Sequence, residues 1–258
     1  KYLQKINYIL AIGFLQRKAS WETLLKVSSG IFADQALEKV LKSYQFNSLD
    51  IAFITELSFG CIRYRKFLDL WIDHLSKIPH QKQPPKLRWL LHIGLYQLLK
   101  MDKIPFSAAI STTVEVAKKT DLRGLTGTVN AILRNAVRKI EKENLPKISS
   151  DAIERIAYLE SLPLWLVNEL INWFGIEDAE NIAKAFNKKP SIDLRINPIK
   201  TNLDIFLKVL HENNINAEPI KNLKNGITLI SNPRSIKNLP GYGDGFWTIQ
   251  DRSSQWVA

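Results

Sequence analysis

The sequence predicts a mainly α-helical protein that turns, in its last quarter, into a small α+β unit. Three observations predict it. From about residue 16 to residue 186 apolar residues recur every three or four positions, the period of an α-helix with one buried face. After Pro190 the period drops to two: Ile192, Leu194 and Ile196 alternate with Asp193, Arg195 and Asn197, as a half-buried strand requires. The positive charge also changes there. Residues 1–145 hold 23 Lys and Arg against 12 Asp and Glu, whereas residues 146–258 hold 13 against 13.

The elements follow in order. Ser20 is expected to cap a helix carrying Trp21, Leu24, Leu25 and Val27, which Gly30 ends. A second helix spans Ala33–Tyr44. Ser48 is expected to cap a third, Leu49–Tyr64, and Phe67–Leu75 follows a short break. The polar, proline-bearing loop Ile78–Pro85 separates these from a helix with Leu87, Leu90, Leu91, Gly94, Leu95 and Leu98 on one inward face. Pro105 and Ser107 open the next helix. The last helix of the block, Leu125–Lys142, turns Val129, Ile132, Leu133, Ala136 and Ile140 inward.

Glu141–Ser150, with its charges, one proline and two serines, is the expected boundary. Asp151–Phe186 is helical again, interrupted at Gly175. Thr201 and Asp204 have the spacing of a capping box for a helix over Ile205–Glu212. Ala217–Ile220, Ile227–Ile230 and Gly245–Gln250 are expected strands, and a helix starts near Ser253. The expected organisation is an N-terminal extension over 1–15, a helical domain over 16–145, a helical linker over 146–190 and the α+β unit over 191–258. The final helix has barely begun when the sequence stops, so these residues are expected to be the front part of a longer protein.

The net charge of +11 lies wholly in the helical part. Charge so lopsided points to a polyanion-binding module joined to a neutral one, and nucleic acid rewards clustered Lys and Arg by counterion release. A merely solvated basic surface is the plainer alternative. Arg134, Arg138 and Lys142 recur every four residues, flanked by Lys139, so they form a row along one helix face. Arg17, Lys18, Arg63, Arg65 and Lys66 lie at the ends of other expected helices and either extend that row or face elsewhere. Lys118 and Lys119 need no ligand, because a helix C-terminus favours cations.

Other chemistries find little. Cys61 is the only cysteine, which excludes an internal disulfide and makes cytoplasm the expected compartment. It sits beside Phe59 and Ile62 on a core helix, where a thiol behaves as a small apolar side chain. The four histidines lack ligand spacing, so no metal is expected. Ile9–Leu15 is too short to span a bilayer, and no cleavage site follows Lys1 and Lys5, so neither membrane nor signal peptide is expected. Gly241, Gly243 and Gly245 precede a strand instead of following one, the reverse of a dinucleotide fingerprint.

Several segments together resemble known families. Residues 49–69 (with LSFGCIRYRKFLD), HIGLYQLLKMDKIP (92–105) and GTVNAILRNAVRK (127–139) resemble the NusB-type RNA-binding domain. LPLWLVNEL (162–170), LRINPIK (194–200) and LPGYGDGFWTIQDRSSQWVA (239–258) resemble the Sun, or Fmu, family of bacterial ribosomal RNA methyltransferases. The resemblance implies a NusB-like helical bundle, then a small mixed subdomain, then a Rossmann-like catalytic domain. It also implies methylation of cytosine C5 in small-subunit RNA with S-adenosylmethionine as donor. That chemistry needs a thiolate to attack C6 and a base to remove the C5 proton. The family's cofactor loop and both catalytic cysteines would come after Val257, so no catalytic or cofactor residue is expected in this chain and no methyl transfer by it alone.

The expected function is therefore the RNA-recognition part of such an enzyme, monomeric, with small-subunit ribosomal RNA as partner. The candidate RNA contacts are the cations named above together with Arg195 and Asn197, which the resemblance places in a subdomain that helps hold RNA. For these last two the alternative is structural: Arg195 pairs with a carboxylate such as Asp251, and Asn197 closes the turn at Pro198. Two other functions stay open, a stand-alone NusB-like adaptor for RNA or transcription complexes, and a helical scaffold for proteins.

Overall fold

The structure is a computed structural model and describes residues 2–188, 190–230 and 236–257, without side chains for residues 2–12. Among the described residues it has eleven α-helices and one four-stranded antiparallel sheet, with no Rossmann-like domain. The chain divides after Asn187 into two compact units.

The first unit is built around α5 (Pro85–Lys100), whose residues from Trp89 through Leu98 are all buried. A helix buried on every side must be apolar almost all round, and this one is. It packs against α1 (Tyr2–Ser28), α3 (Ser48–Arg63), α4 (Arg65–Leu75), α6 (Phe106–Lys118) and α7 (Thr126–Glu141). The expected extension over 1–15 is not a separate piece, because from Tyr2 onward it is the first half of α1; Lys1 lies outside the described residues. Leu57, Cys61, Leu68, Ile72, Val116, Val129 and Leu133 from the surrounding helices close on Leu90, Leu91 and Leu95. α2 (Ala33–Leu41) adds Leu37 and Val40 to a smaller cluster with Ala19 and Ile54.

Two glycines set the helix spacing. A Cβ on Gly60 of α3 would stand 2.1 Å from Cζ of Tyr96, and one on Gly94 of α5 would stand 2.6 Å from Cδ2 of Leu133. Neither distance is possible for a real methyl group, so both helix pairs approach as closely as they do only without a side chain.

Three expected caps differ. Ser20 lies inside α1, fully buried, and its hydroxyl donates to the Gln16 carbonyl one turn back, a bond open to a mid-helix serine. At α3 the cap is Asn47, whose Oδ1 accepts from the backbone N–H of Leu49 and Asp50. At α10 (Leu203–Glu212) it is Asn202, accepting from Ile205, and not the box begun by Thr201.

Nearly all of the expected helical linker over 146–190 falls within the first unit, which ends at Asn187. The helices of this segment are α8 (Ala152–Leu159) and α9 (Leu164–Phe186). Lys66 at the start of α4 donates to the Leu162 carbonyl at 2.6 Å, the Phe67 amide donates to the Ser161 hydroxyl at 3.0 Å, and α8 packs on α4. Arg155 pairs with Glu180 at 2.9 Å and ties α8 to α9. α9 breaks at Gly175, which has φ 78° and ψ 171°, a conformation that costs glycine little and other residues much.

The second unit is a sheet in the order β2 (Ala217–Pro219), β3 (Gly226–Leu229), β1 (Ile192–Ile196), β4 (Trp247–Ile249). Leu194 lies opposite Ile227 on one side and Ile249 on the other, and Ile196 lies opposite Trp247. Phe206 and Leu210 of α10 bury against Leu194, Ile196, Ile227 and Leu229. The opposite face of β1 is not simply solvated. Asp193 is 3% exposed and is bound by Arg252, the first residue of α11 (Arg252–Val257), at 2.7 and 3.0 Å.

Candidate nucleic-acid interface

The α7 row forms as its spacing requires. Ile132, Leu133 and Ala136 face the core, which turns Arg134 and Arg138 outward. Arg134, Arg138 and Lys142 are exposed and Lys139 is half-buried. None of the four makes an ion pair among the described residues. Arg134 is held along the helix by its Nε, which donates to Oδ1 of Asn130 at 2.9 Å. Three unneutralised cations on consecutive turns, about 6 Å apart along the axis, can each meet an anionic group without first breaking an internal ion pair.

The other expected cations fare differently. Arg17 is 7% exposed: its Nε donates to Gln97 Oε1 at 2.9 Å, Nη1 to the Gly13 carbonyl at 3.2 Å, and the guanidinium lies 4.4 Å from the centre of the Phe53 ring. Burial pulls its pKa down to about 10, which still leaves it charged at neutral pH. A side chain so enclosed joins α1 to α3 and α5 and cannot reach a phosphate, so Arg17 leaves the set of candidate contacts. Lys18 is half-buried and paired with Glu22 at 3.3 Å. Arg63 is half-buried. Arg65 is exposed and lies 5.3 Å above the Trp89 ring. Lys66 has no carboxylate partner among the described residues, and burial lowers its pKa.

In the second unit both residues left open take structural partners. Arg195 reaches Gln250 Oε1 at 3.4 Å, not Asp251. Asn197 donates to the Gly245 carbonyl at 3.1 Å and accepts from the Ile199 amide at 3.2 Å, closing the turn at Pro198. Gly241 and Gly245 have φ of 74° and 66°, so these glycines build the turn before β4.

Sequence reasoning missed one polar centre beneath Arg65. Asp69 of α4 accepts from Arg88 Nε at 2.7 Å, from Arg88 Nη2, and from His92 Nε2 at 2.8 Å. Burial pushes the Asp69 carboxyl up, but these bonds outweigh it and hold the pKa at about 2. Burial lowers the pKa of His92 despite Asp69. His92 Nδ1, on the far side of the ring, has no partner among the described residues. The signal available in the sequence was the spacing of Arg88 and His92, one turn apart on a helix whose middle is mostly apolar.

Cys61 is 0% exposed and burial raises its pKa well above the ordinary value, so it is not a nucleophile. Among the described residues no group of three or more His, Cys, Asp and Glu is placed to hold a metal, and no helix is long and apolar enough to cross a membrane.

Comparison with known proteins agrees with this architecture. Residues 15–138 match the NusB family, and residues 162–236 match the family described as "Methyltr_RsmF/B-like, ferredoxin-like domain". The "Probable ribosomal RNA small subunit methyltransferase B" of Synechocystis sp. is 36% identical over 88% of this chain and 50% of the relative. The protein of the same name from Bacillus subtilis is 30% identical over 94% of the chain and 53% of the relative. The ribosomal RNA small subunit methyltransferase B of Escherichia coli K12 is 33% identical over 87% and 52%. The chain thus spans about half the length of the curated relatives it matches. The crystal structure of PH0851 superposes with a TM-score of 0.63 over 92% of this chain and 53% of that one, at 14% identity, a likeness of fold.

Proposed function

We propose that this chain, which carries a NusB-family domain followed by an RsmF/B-like ferredoxin-like domain, supplies RNA recognition for an S-adenosylmethionine-dependent cytosine-5 methyltransferase acting on small-subunit ribosomal RNA in the cytoplasm. The observation that carries the reading is the α7 row: Arg134, Arg138 and Lys142 are exposed cations with no acid to neutralise them among the described residues. Phosphate contacts of this kind position an RNA and do not read its bases, so recognition rests on the shape of the substrate. The second unit presents that RNA, with Arg195 and Asn197 shaping the surface more than gripping the strand.

The residues present do not fit the methyl donor or the chemistry it serves. The only thiol is sealed in the core, and the Gly241–Gly245 segment builds a turn ahead of a strand and not a loop between a strand and a helix. No catalytic step is therefore assigned to this chain. A stand-alone adaptor accounts for residues 15–138 but not for the match over 162–236.

The test is incubation of the 258-residue chain with labelled S-adenosylmethionine and small-subunit ribosomal RNA, beside a salt titration of RNA binding. The expected result is no label in the RNA, with affinity that falls steeply as salt rises. Label in the RNA, or affinity indifferent to salt, overturns the reading.

A further inference from the structure

A cleft of ≈ 330 Å³ lies where α4 and α5 meet α8 and the start of α9, within the first unit. Its size is at the lower end of small-ligand sites, about 300–1,000 Å³. One side is cationic: Arg65, Lys66 and Arg88 all line it. Asp69 also lines it, but both of its oxygens are occupied by Arg88 and His92. Arg88 and Asp69 cancel, which leaves the charges of Arg65 and Lys66 uncompensated. His80 is turned to Asp73, its Nδ1 at 2.7 Å from the carboxylate. The opposite side is apolar and open. Tyr158 of α8 is 37% exposed and its hydroxyl has no hydrogen-bond partner among the described residues, and Leu164 beside it is 47% exposed.

A site with two cations free of any carboxylate at one wall, Lys66 holding only the Leu162 carbonyl at 2.6 Å, and a bare aromatic ring at the other suits a phosphate joined to a flat ring. We propose that this cleft holds one unpaired nucleotide of the bound RNA, its phosphate on Arg65 and Lys66 and its base against Tyr158. The proposal rests on the reading of this chain as an RNA-recognition module, and it adds a second anchor to the α7 row. Stacking on an aromatic face tolerates any base, so the cleft selects an unstacked nucleotide, not a sequence. It gives the module a means of telling a loop or bulge from a continuous duplex, which the row alone lacks.

The test uses the full 258-residue chain, calorimetry and three probes: cytidine 5′-monophosphate, inorganic phosphate and cytidine. The monophosphate is expected to bind more tightly than either fragment. Arg65→Gln should weaken its binding at least tenfold. Tyr158→Ala should weaken the monophosphate but leave inorganic phosphate unchanged. Both side chains are surface-exposed, and thermal melts confirm that the variants fold. An unpaired hexaribonucleotide should displace the monophosphate, which identifies RNA as the source of the nucleotide. The proposal is overturned if the monophosphate does not bind at millimolar concentration, if either variant binds it as the wild type does, or if the hexanucleotide fails to compete. Loss of this proposal with RNA binding still steeply salt-dependent leaves the α7 row standing. A flat salt response removes the RNA reading itself.

Discussion

Replacing Arg134 and Arg138 together by alanine tests the α7 row quantitatively. Each arginine that neutralises a phosphate releases condensed counterions, so the slope of log affinity against log salt falls by about 0.7 per contact on single strands and about 0.9 on duplex. Removing two contacts should lower the slope by about 1.4 to 1.8. Between about 50 and 200 mM salt, a roughly fourfold range, wild-type affinity should then drop roughly tenfold further than that of the variant. Stability should hardly change. The one side-chain bond lost is Arg134 to Asn130, exposed and within one helix, worth about 0.2–0.5 kcal/mol and offset by the better helix propensity of alanine. Fluorescence anisotropy with a labelled small-subunit RNA fragment at four salt concentrations measures the slope, and circular dichroism checks the fold. An unchanged slope in a folded variant refutes the assignment of the row to phosphate contacts.

Three further perturbations address the first unit. Asp69→Asn removes the charge that holds Arg88 and His92, and should destabilise the protein by about 3 kcal/mol in urea titration, the lower end for breaking a buried pair because Arg88 is partly exposed. The same centre sets an acid response in two stages: His92, depressed by burial below its ordinary 6.5, begins to cost stability below that pH, and Asp69, at about 2 against an ordinary 3.8, withdraws roughly 2 kcal/mol more as pH falls from about 5 to 2. Urea midpoints that hold level from about pH 7 to pH 3 contradict it. Gly60→Ala should cost at least about 1–3 kcal/mol, because the new methyl group meets a Tyr96 ring that cannot retreat while its hydroxyl is held by Glu56 at 2.7 Å; a wild-type urea midpoint rules this out.

The helices were legible because burial of one face is a periodic property that any stretch of sequence carries by itself. Their starts were less so. An N-cap needs a residue outside helical backbone angles directly ahead of the first turn; Ser20 and Ser48 lie inside helices, and Thr201 stands one residue too early. Asn47 and Asn202 meet both conditions. Nothing local told Ser20 that the helix had begun at Tyr2, eighteen residues earlier. The stretch after Ser150 was legible as helix but not as part of the first unit, because what docks it is a pair of bonds spanning more than ninety residues, from Lys66 to Leu162 and from Phe67 to Ser161.

The site divides along the same line. Exposure of Arg134 and Arg138 follows from the apolar residues beside them on α7, so periodicity alone sufficed. The fate of Arg17 depends on Gln97, eighty residues away, and on the Phe53 ring. The polar face of β1 depends on Arg252, fifty-nine residues from Asp193. In each case the cation was visible and its partner was not, and the partner decides whether a charge is used inside the protein or left for a ligand. Arg65 and Lys66 show the converse. Their freedom rests on Asp69, four and three residues along the same helix and the natural acid for either, being occupied from α5 by Arg88 and His92. Arg88 and His92, a turn apart on α5, thereby leave two cations of α4 without a counter-charge, so the buried polar centre and the candidate anion site rest on the same three side chains.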